Sequence, residues 1–282
     1  MSDGATETIE AEEWSGAMGE KWLANLDRFE GMIAPVGSAF LDHAGFKAGE
    51  HVIDIGCGGG GTTIAIARAV GPSGTALGVD ISPALVAAAR KRAAGIANIA
   101  FVNADAATIR PEGAPFDRLF SRFGSMFFAD RPAAFANLRR MVRDGGRADF
   151  AVWAPAKENG WIAGMMESVS RHVTLPPPVP HAPGPFALDD PDYVRPLLLD
   201  AGFRTVDFTR WQGEQHIGGA GIRPAEAVDF VLGSLSFATT IAEQDEEVGR
   251  QVRDDLTALF ARHQRGGSIV MEGAAWFVTA TA

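Results

Sequence analysis

The sequence predicts a doubly wound α/β fold: a seven-stranded, mostly parallel sheet, preceded by a helical extension and followed by a helical, proline-rich cap. Three observations predict it. Short apolar runs alternate with helix-length segments across residues 49–153. A glycine cluster follows the first run and opens a helix. An acid stands at or just past the end of each of the first three runs: Asp54, Asp80 and Asp105.

The elements follow in order. Residues 1–11 are polar and acidic, and a frayed start is expected. From Glu12 to Ala44, the spacing of Trp14, Met18, Trp22, Leu26 and Phe29 fits one face of a helix, with a second short helix after Pro35. His51–Ile55 reads as the first strand and Thr62–Val70 as a helix closed by Gly71-Pro72. Thr75–Val79 is the second strand, ending at Asp80. Ser82-Pro83 starts the next helix, with serine as N-cap and proline at the first helical position, and Gly95 ends it. Ile99–Val102 and Phe116–Phe120 are strands three and four. Asp130 caps a helix that Gly145-Gly146 should end, and Arg147–Trp153 is the fifth strand. Units of this length call for right-handed crossovers and a parallel sheet.

Beyond Trp153 the pattern changes. A helix is expected around Trp161–Val173. Six of the ten residues from Pro176 to Pro185 are proline, which fixes φ and removes donors, so a rigid loop is expected there. Asp190-Pro191 restarts a helix that ends at Gly202, and Phe203–Trp211 is a sixth strand. Residues 224–264 read as two helices and Met271–Thr281 as the last strand. The chain thus divides into residues 1–48, a core at 49–153 and a remainder at 154–282 that carries insertions at about 154–188 and 213–265.

The chain has 282 residues, 46% hydrophobic and 21% charged, enough for one large domain with a buried core. A formal net charge of −10 repels phosphate backbones, so no nucleic-acid partner is expected. No apolar stretch long enough to span a membrane occurs, and the start lacks a secretion pattern. A single cysteine, Cys57, excludes an internal disulfide, and a cytoplasmic setting is expected. A homodimer is compatible with the sequence.

The glycine loop carries the chemistry. Asp54-Ile55-Gly56-Cys57-Gly58-Gly59-Gly60-Gly61 lets the backbone turn sharply and lets a ligand approach with no Cβ in the way, beside a helix N-terminus. Gly56, Gly58 and Gly61 alone would also suit a nicotinamide dinucleotide, or only a tight turn. Asp54 discriminates: its carboxylate would repel a pyrophosphate and suit the α-ammonium and sulfonium of S-adenosylmethionine. Asp80 can accept both ribose hydroxyls, or cap the next helix, a place Ser82 already offers. Ile81 can lie against an adenine or in the core. Asp105, beside Ala106, can take an adenine amino group or serve a turn.

The run Val52-Ile53-Asp54-Ile55-Gly56-Cys57-Gly58 closely resembles the first motif of the class I S-adenosylmethionine-dependent methyltransferases, which have a Rossmann-like sheet. Gly59 departs from that motif, which usually has threonine or another small residue there. Phe116 to Phe128 is similar to the fourth motif of the small-molecule enzymes. By that resemblance Ser121, Arg122 and Phe123 border the methionine end of the cofactor, with Arg122 pairing its carboxylate or a structural acid. Met126, Phe127 and Phe128 then line an apolar substrate site or belong to the core. Pro185 to Pro191, Leu197 to Phe203, and Trp14 to Trp22 are similar to a bacterial subgroup related to the ubiquinone/menaquinone C-methyltransferases. That implies that residues 1–48 form a lid, with Trp14, Met18 and Trp22 against the cofactor or simply packed on the domain.

The implied reaction is in-line methyl transfer to an oxygen or carbon atom of a small, apolar or aromatic acceptor, with the protein positioning the acceptor and excluding water. A base is needed only for an acceptor that arrives protonated. His172, His181 and His216 lie in the segments expected to form the substrate wall and are the base candidates, against a surface or packing role for each. Glu214 is a possible partner of His216, while His43 and His51 read as structural. No cluster has metal-ligand spacing, so no metal is expected. Cys57 reads as a small loop residue rather than a nucleophile. The rivals are an NAD(P)-dependent oxidoreductase, for which the single tyrosine, Tyr193, lacks a lysine four residues on, and a non-catalytic cofactor-binding protein.

Overall fold

A computed structural model describes residues 11–234 and 237–282, with 11, 12 and 237–239 described by backbone only. The expected frayed start, except for Ala11, lies outside the described residues.

Five strands build the parallel part of the sheet and its border: β1 (His51–Ile55), β2 (Thr75–Asp80), β3 (Ile99–Asn103), β4 (Phe116–Arg122) and β5 (Val142–Trp153). The remaining strands are β6 (Thr205–His216), β7 (Gln264–Arg265) and β8 (Ser268–Thr281). The order across the sheet is β3-β2-β1-β4-β5-β8-β6, and β7 pairs only with β8. β8 runs antiparallel between β5 and β6, and every other neighbouring pair in the main sheet is parallel. The order reverses at β1, so the chain leaves the tips of β1 and β4 in opposite directions and opens a crevice between them.

Right-handed crossovers place the helices. α4 (Gly61–Val70) joins β1 to β2 and α5 (Pro83–Arg92) joins β2 to β3, both on one face. α6 (Arg131–Met141) joins β4 to β5, where the sheet grows the other way, and so lies on the opposite face with α8 (Pro191–Asp200). Ser82 and Asp130 cap α5 and α6 as read from sequence, and Asp190 caps α8, each accepting a backbone N–H from the first turn.

The helical extension comprises α1 (Ala11–Ser15), α2 (Ala17–Ala24) and α3 (Leu26–Ala44). α3 corrects the expected break at Pro35, because it runs straight through it. Its buried stripe of Phe29, Met32, Ile33, Val36, Gly37 and Phe40 outweighs the one lost hydrogen bond, and Phe40 stacks 4.4 Å from Phe120 on β4. The far end of α3 is anchored by a buried ion network. Arg118 donates to the Ala44 carbonyl and to Asp149, both at 2.7 Å, and Asp149 also pairs with Arg147.

Three other boundaries move. α6 stops at Met141, and β5 begins at Val142 with a register shift, so Gly145-Gly146 lies inside the strand rather than ending the helix. β6 extends to His216 because it pairs with β8 as far as Val270, and β8 starts at Ser268, where β7 pairs with it. Among the described residues of 224–264 the helices are α9 (Pro224–Ser234), α10 (Phe237–Ala242) and α11 (Glu246–Arg262). α9 and α11 pack on each other, and α11 packs on α7 (Gly160–Ser170), forming the cap beyond the strand tips.

Candidate active site

One pocket sits at the carboxyl ends of the strands, with two unlike walls. The first wall is the glycine loop and the tips of β2 and β3. Gly56 and Gly58 have φ of 68° and 52°, the left-handed region that favours glycine. A Cβ at Gly56 would lie 2.7 Å from the Gly124 Cα, so the loop presses backbone to backbone on the segment after β4. A Cβ at Gly58 would meet no protein atom within 4 Å, so it would project into open pocket space.

Asp80 holds this wall together. Its Oδ2 accepts the Gly58 N–H at 2.8 Å and its Oδ1 accepts the Ser82 N–H at 2.9 Å. Ser82, not Asp80, caps α5: its Oγ accepts the Leu85 N–H. Burial raises the Asp80 pKa, against the two backbone N–H bonds that favour its charged form. Each Asp80 oxygen keeps acceptor capacity toward the pocket that the residue lines. Ile81, Ala104, Asp105 and Ala106 continue the wall, and Asp105 Oδ1 accepts the Ala107 N–H at 2.8 Å.

Asp54 lies beneath the loop and does not line the pocket. Its Oδ2 accepts the hydroxyls of Thr62 and Thr63, both at 2.7 Å, while Oδ1 has no partner. Burial pushes its pKa up to about 6, opposed by the two hydroxyls and by the nearby Arg122 charge. Burial, then the charges of Asp80 and Asp54, push the Cys57 thiol up, which keeps it protonated and suits a loop residue rather than a nucleophile. Ser121 is fully buried behind the wall with its hydroxyl unpartnered. Arg122 does line the pocket. Among the described residues its guanidinium makes no hydrogen bond or ion pair, and burial lowers its pKa against the pull of Asp54 and Glu30.

The second wall is apolar and aromatic. Phe123, with φ of 61°, stacks on Trp153 at 4.2 Å, and Trp153 packs on Trp161 of α7. Met126, Phe127 and Phe128 line the pocket, as do Pro185 and, from α9, Phe230 and Val231. The helical extension closes the remaining side. Trp22 stacks on Phe29 at 3.9 Å, and Trp14 packs edge-on against Trp22 and Phe127. Trp14, Trp22 and Phe29 all line the pocket, whereas Met18 does not.

The three histidines are not brought there. His172 pairs with Asp255 at 3.1 Å between α7 and α11, His181 stacks on Tyr193 at 3.8 Å, and His216 ends β6. None of them lines the pocket. Glu214 instead pairs with Arg265. Among the described residues no group of three or more His, Cys, Asp or Glu side chains is arranged to hold a metal, and no helix is long and apolar enough to cross a membrane.

Sequence reasoning missed a clasp over the loop. Arg92 on α5 donates to both oxygens of Glu30 on α3 (2.8 and 2.7 Å) and to the Gly59 carbonyl at 2.8 Å. The partners are 62 residues apart, and nothing local announces the pair. It also missed Phe29, Phe230 and Val231 as wall residues, because their helical spacing reads equally well as core.

Residues 52–146 match the family model described as a methyltransferase domain. Over 120 residues the chain is 34% identical to the aklanonic acid methyltransferase DauC of Streptomyces sp. (strain C5), covering 42% of this chain and 54% of that protein. Over 102 residues it is 31% identical to the demethylmenaquinone methyltransferase of Staphylococcus aureus, covering 36% of this chain and 42% of that one. The chain thus spans about half the length of the curated relatives it matches. In fold it resembles the crystal structure of YcgJ from Bacillus subtilis, with a TM-score of 0.55 at 18% identity over 88% of this chain and 98% of that one. The methyltransferase-domain match takes in the glycine loop and the strand tips, about a third of the chain, and S-adenosylmethionine is the cofactor of such domains.

The pocket suits that cofactor on its own evidence. The bare Gly58 position opens space that a side chain would fill, Asp80 retains acceptor capacity, and Arg122 is a cation with no protein counter-charge within bonding reach.

Proposed function

We propose that the chain transfers a methyl group from S-adenosylmethionine to an oxygen or carbon atom of a small, apolar or aromatic acceptor. One observation carries this reading: a single pocket joins a polar backbone wall at the strand tips to an aromatic wall built from β4, β5, the cap and the helical extension. When bound, the cofactor supplies an electrophilic methyl group and a neutral thioether leaving group.

The residues divide the work. Asp80 accepts from the ribose hydroxyls, Ile81 and Ala106 flank the adenine, and Asp105 accepts from its amino group. The Gly56-Cys57-Gly58 backbone admits the ligand closely, with Asp54 bracing that turn from below. Arg122, beside Ser121, receives the methionine carboxylate. Trp22 covers the cofactor and, with Trp14, keeps water out. Trp153, Trp161, Met126, Phe127 and Phe230 hold the acceptor against the methyl group; orientation is the main source of rate in such a transfer. Two relatives, named as methyltransferases of aklanonic acid and of demethylmenaquinone, agree with an acceptor of this kind.

The test is transfer of tritium from methyl-labelled S-adenosylmethionine to a panel of phenols, reduced naphthoquinones and alkylamines. Label extracted into organic solvent with the phenols or quinols is the expected result. Label only on the amines, or on no acceptor, overturns the reading.

A further inference from the structure

We propose that Phe123 sets the acceptor specificity of this site, and that the acceptor is a flat, conjugated ring system that stacks on its face. The inference rests on the methyltransferase reading and adds to it a residue and a substrate shape.

Phe123 is one of two non-glycine residues with positive φ among the described residues, and it alone lines the pocket. A phenylalanine in that conformation is strained, and such strain persists where the surroundings over-determine it and something is gained from it. Two constraints meet here. The Phe123 N–H donates to the Ala151 carbonyl at 3.0 Å, tying it to β5. The next residue, Gly124, is pressed against Gly56 of the cofactor loop. The left-handed turn at Phe123 joins these two fixed points. A glycine would make this turn without strain, so the ring itself is the feature that the strain retains.

The ring is placed for stacking. Trp153 covers one face at 4.2 Å with an interplanar angle of 13°, and Trp161 packs behind Trp153 with its ring tilted by 58°. The residue nevertheless lines the pocket, and among the described residues no second ring stacks on its other face. A flat acceptor laid on that face extends an existing stack by one ring. A puckered, saturated acceptor of equal volume gains the burial without the stacking.

The probes are 1-naphthol and its fully saturated analogue, decahydro-1-naphthol, titrated calorimetrically with S-adenosylhomocysteine at saturation. Wild-type protein is expected to bind the flat probe about tenfold or more tightly than the saturated one, a difference of about 1.4 kcal/mol. Phe123→Leu keeps the apolar bulk but not the flat face, and brings the two affinities within about threefold while S-adenosylhomocysteine affinity stays within about threefold of wild type. Phe123→Gly melts at a higher temperature than Phe123→Ala, the reverse of the usual order, because only glycine relieves the backbone.

No preference for the flat probe in the wild type, a preference that survives Phe123→Leu, or the usual melting order overturns the inference and leaves the methyltransferase reading standing. If Phe123→Leu weakens S-adenosylhomocysteine about tenfold and spares naphthol, the ring serves the cofactor and the inference falls. If the wild type binds no S-adenosylhomocysteine, the reading beneath it falls as well.

Discussion

Asp54 carries a charge that its surroundings resist. With its pKa pushed up from 3.8 to about 6 by burial, the folded protein prefers the protonated form. Its contribution to stability is complete below the unfolded value and is lost as pH rises through the folded one, by up to about 3 kcal/mol at neutral pH. Burial raises Asp80 in the same direction, so it too costs stability as pH rises above the ordinary carboxylate range. Asp54→Asn removes one of the two terms. Its melting temperature should gain on wild type by roughly 5 °C between pH 4 and pH 7, and a gap independent of pH would contradict the assignment. The glycines separate by the same logic of what each touches. Gly56→Ala drives a methyl into the Gly124 backbone and should cost several degrees of melting temperature. Gly58→Ala meets no protein atom and carries only the left-handed backbone cost, about 1 kcal/mol, yet it fills ligand space. It should fold and bind S-adenosylmethionine at least about tenfold more weakly, which calorimetry alongside a thermal melt distinguishes.

At the scale of elements, α3 links the lid to the glycine loop through the Arg92–Glu30 pair. The pair is partly exposed, 37% and 22%, so it contributes at most about 1 kcal/mol to stability. Its effect falls on the loop, since Arg92 also holds the Gly59 carbonyl. Glu30→Gln should leave the melting temperature within about 2 °C and weaken cofactor binding about three- to tenfold, more so at low salt than at high. Pro35 offers a second test on the same helix. It removes one backbone donor from a helix that is otherwise continuous, so Pro35→Ala should raise stability by about 1–3 kcal/mol. A drop would mean that the helix depends on the proline turn. α3 also shows why sequence reading failed there. Proline is a strong local signal for a break, but the stripe from Phe29 to Phe40 gains its stability from contacts with β4 and β8 that no local window contains. Where signals were local, as at the Ser82 and Asp130 caps and the Asp190-Pro191 helix start, they held. Where pairing across the sheet decides, as at the ends of β6 and β8, the boundaries moved outward.

Over the whole molecule, the two walls of the pocket differ in how they are encoded. The polar wall comes from three consecutive strand tips, so Gly56, Gly58, Asp80, Ile81, Asp105 and Ala106 were legible as a spaced series and meet in space. Asp54 was legible too, but it braces the wall from behind. The aromatic wall is assembled from Trp14, Trp22, Phe123, Trp153, Trp161 and Phe230, which lie on six separate segments. Aromatic residues at helical or strand spacing read as core until the topology brings them together, and His172, His181 and His216 read as site residues although none lines the pocket. The central claim is that the strand tips and bare turn hold one S-adenosylmethionine, with Asp80 fastening loop and ligand alike. Calorimetric titration of wild type and Asp80→Ala with S-adenosylmethionine, and with NAD as control, tests it most directly. One site of micromolar affinity for S-adenosylmethionine, weakened at least about thirtyfold (about 2 kcal/mol) in Asp80→Ala, with no heat from NAD, is expected. Unchanged affinity in Asp80→Ala, or saturable binding of NAD in its place, would contradict it.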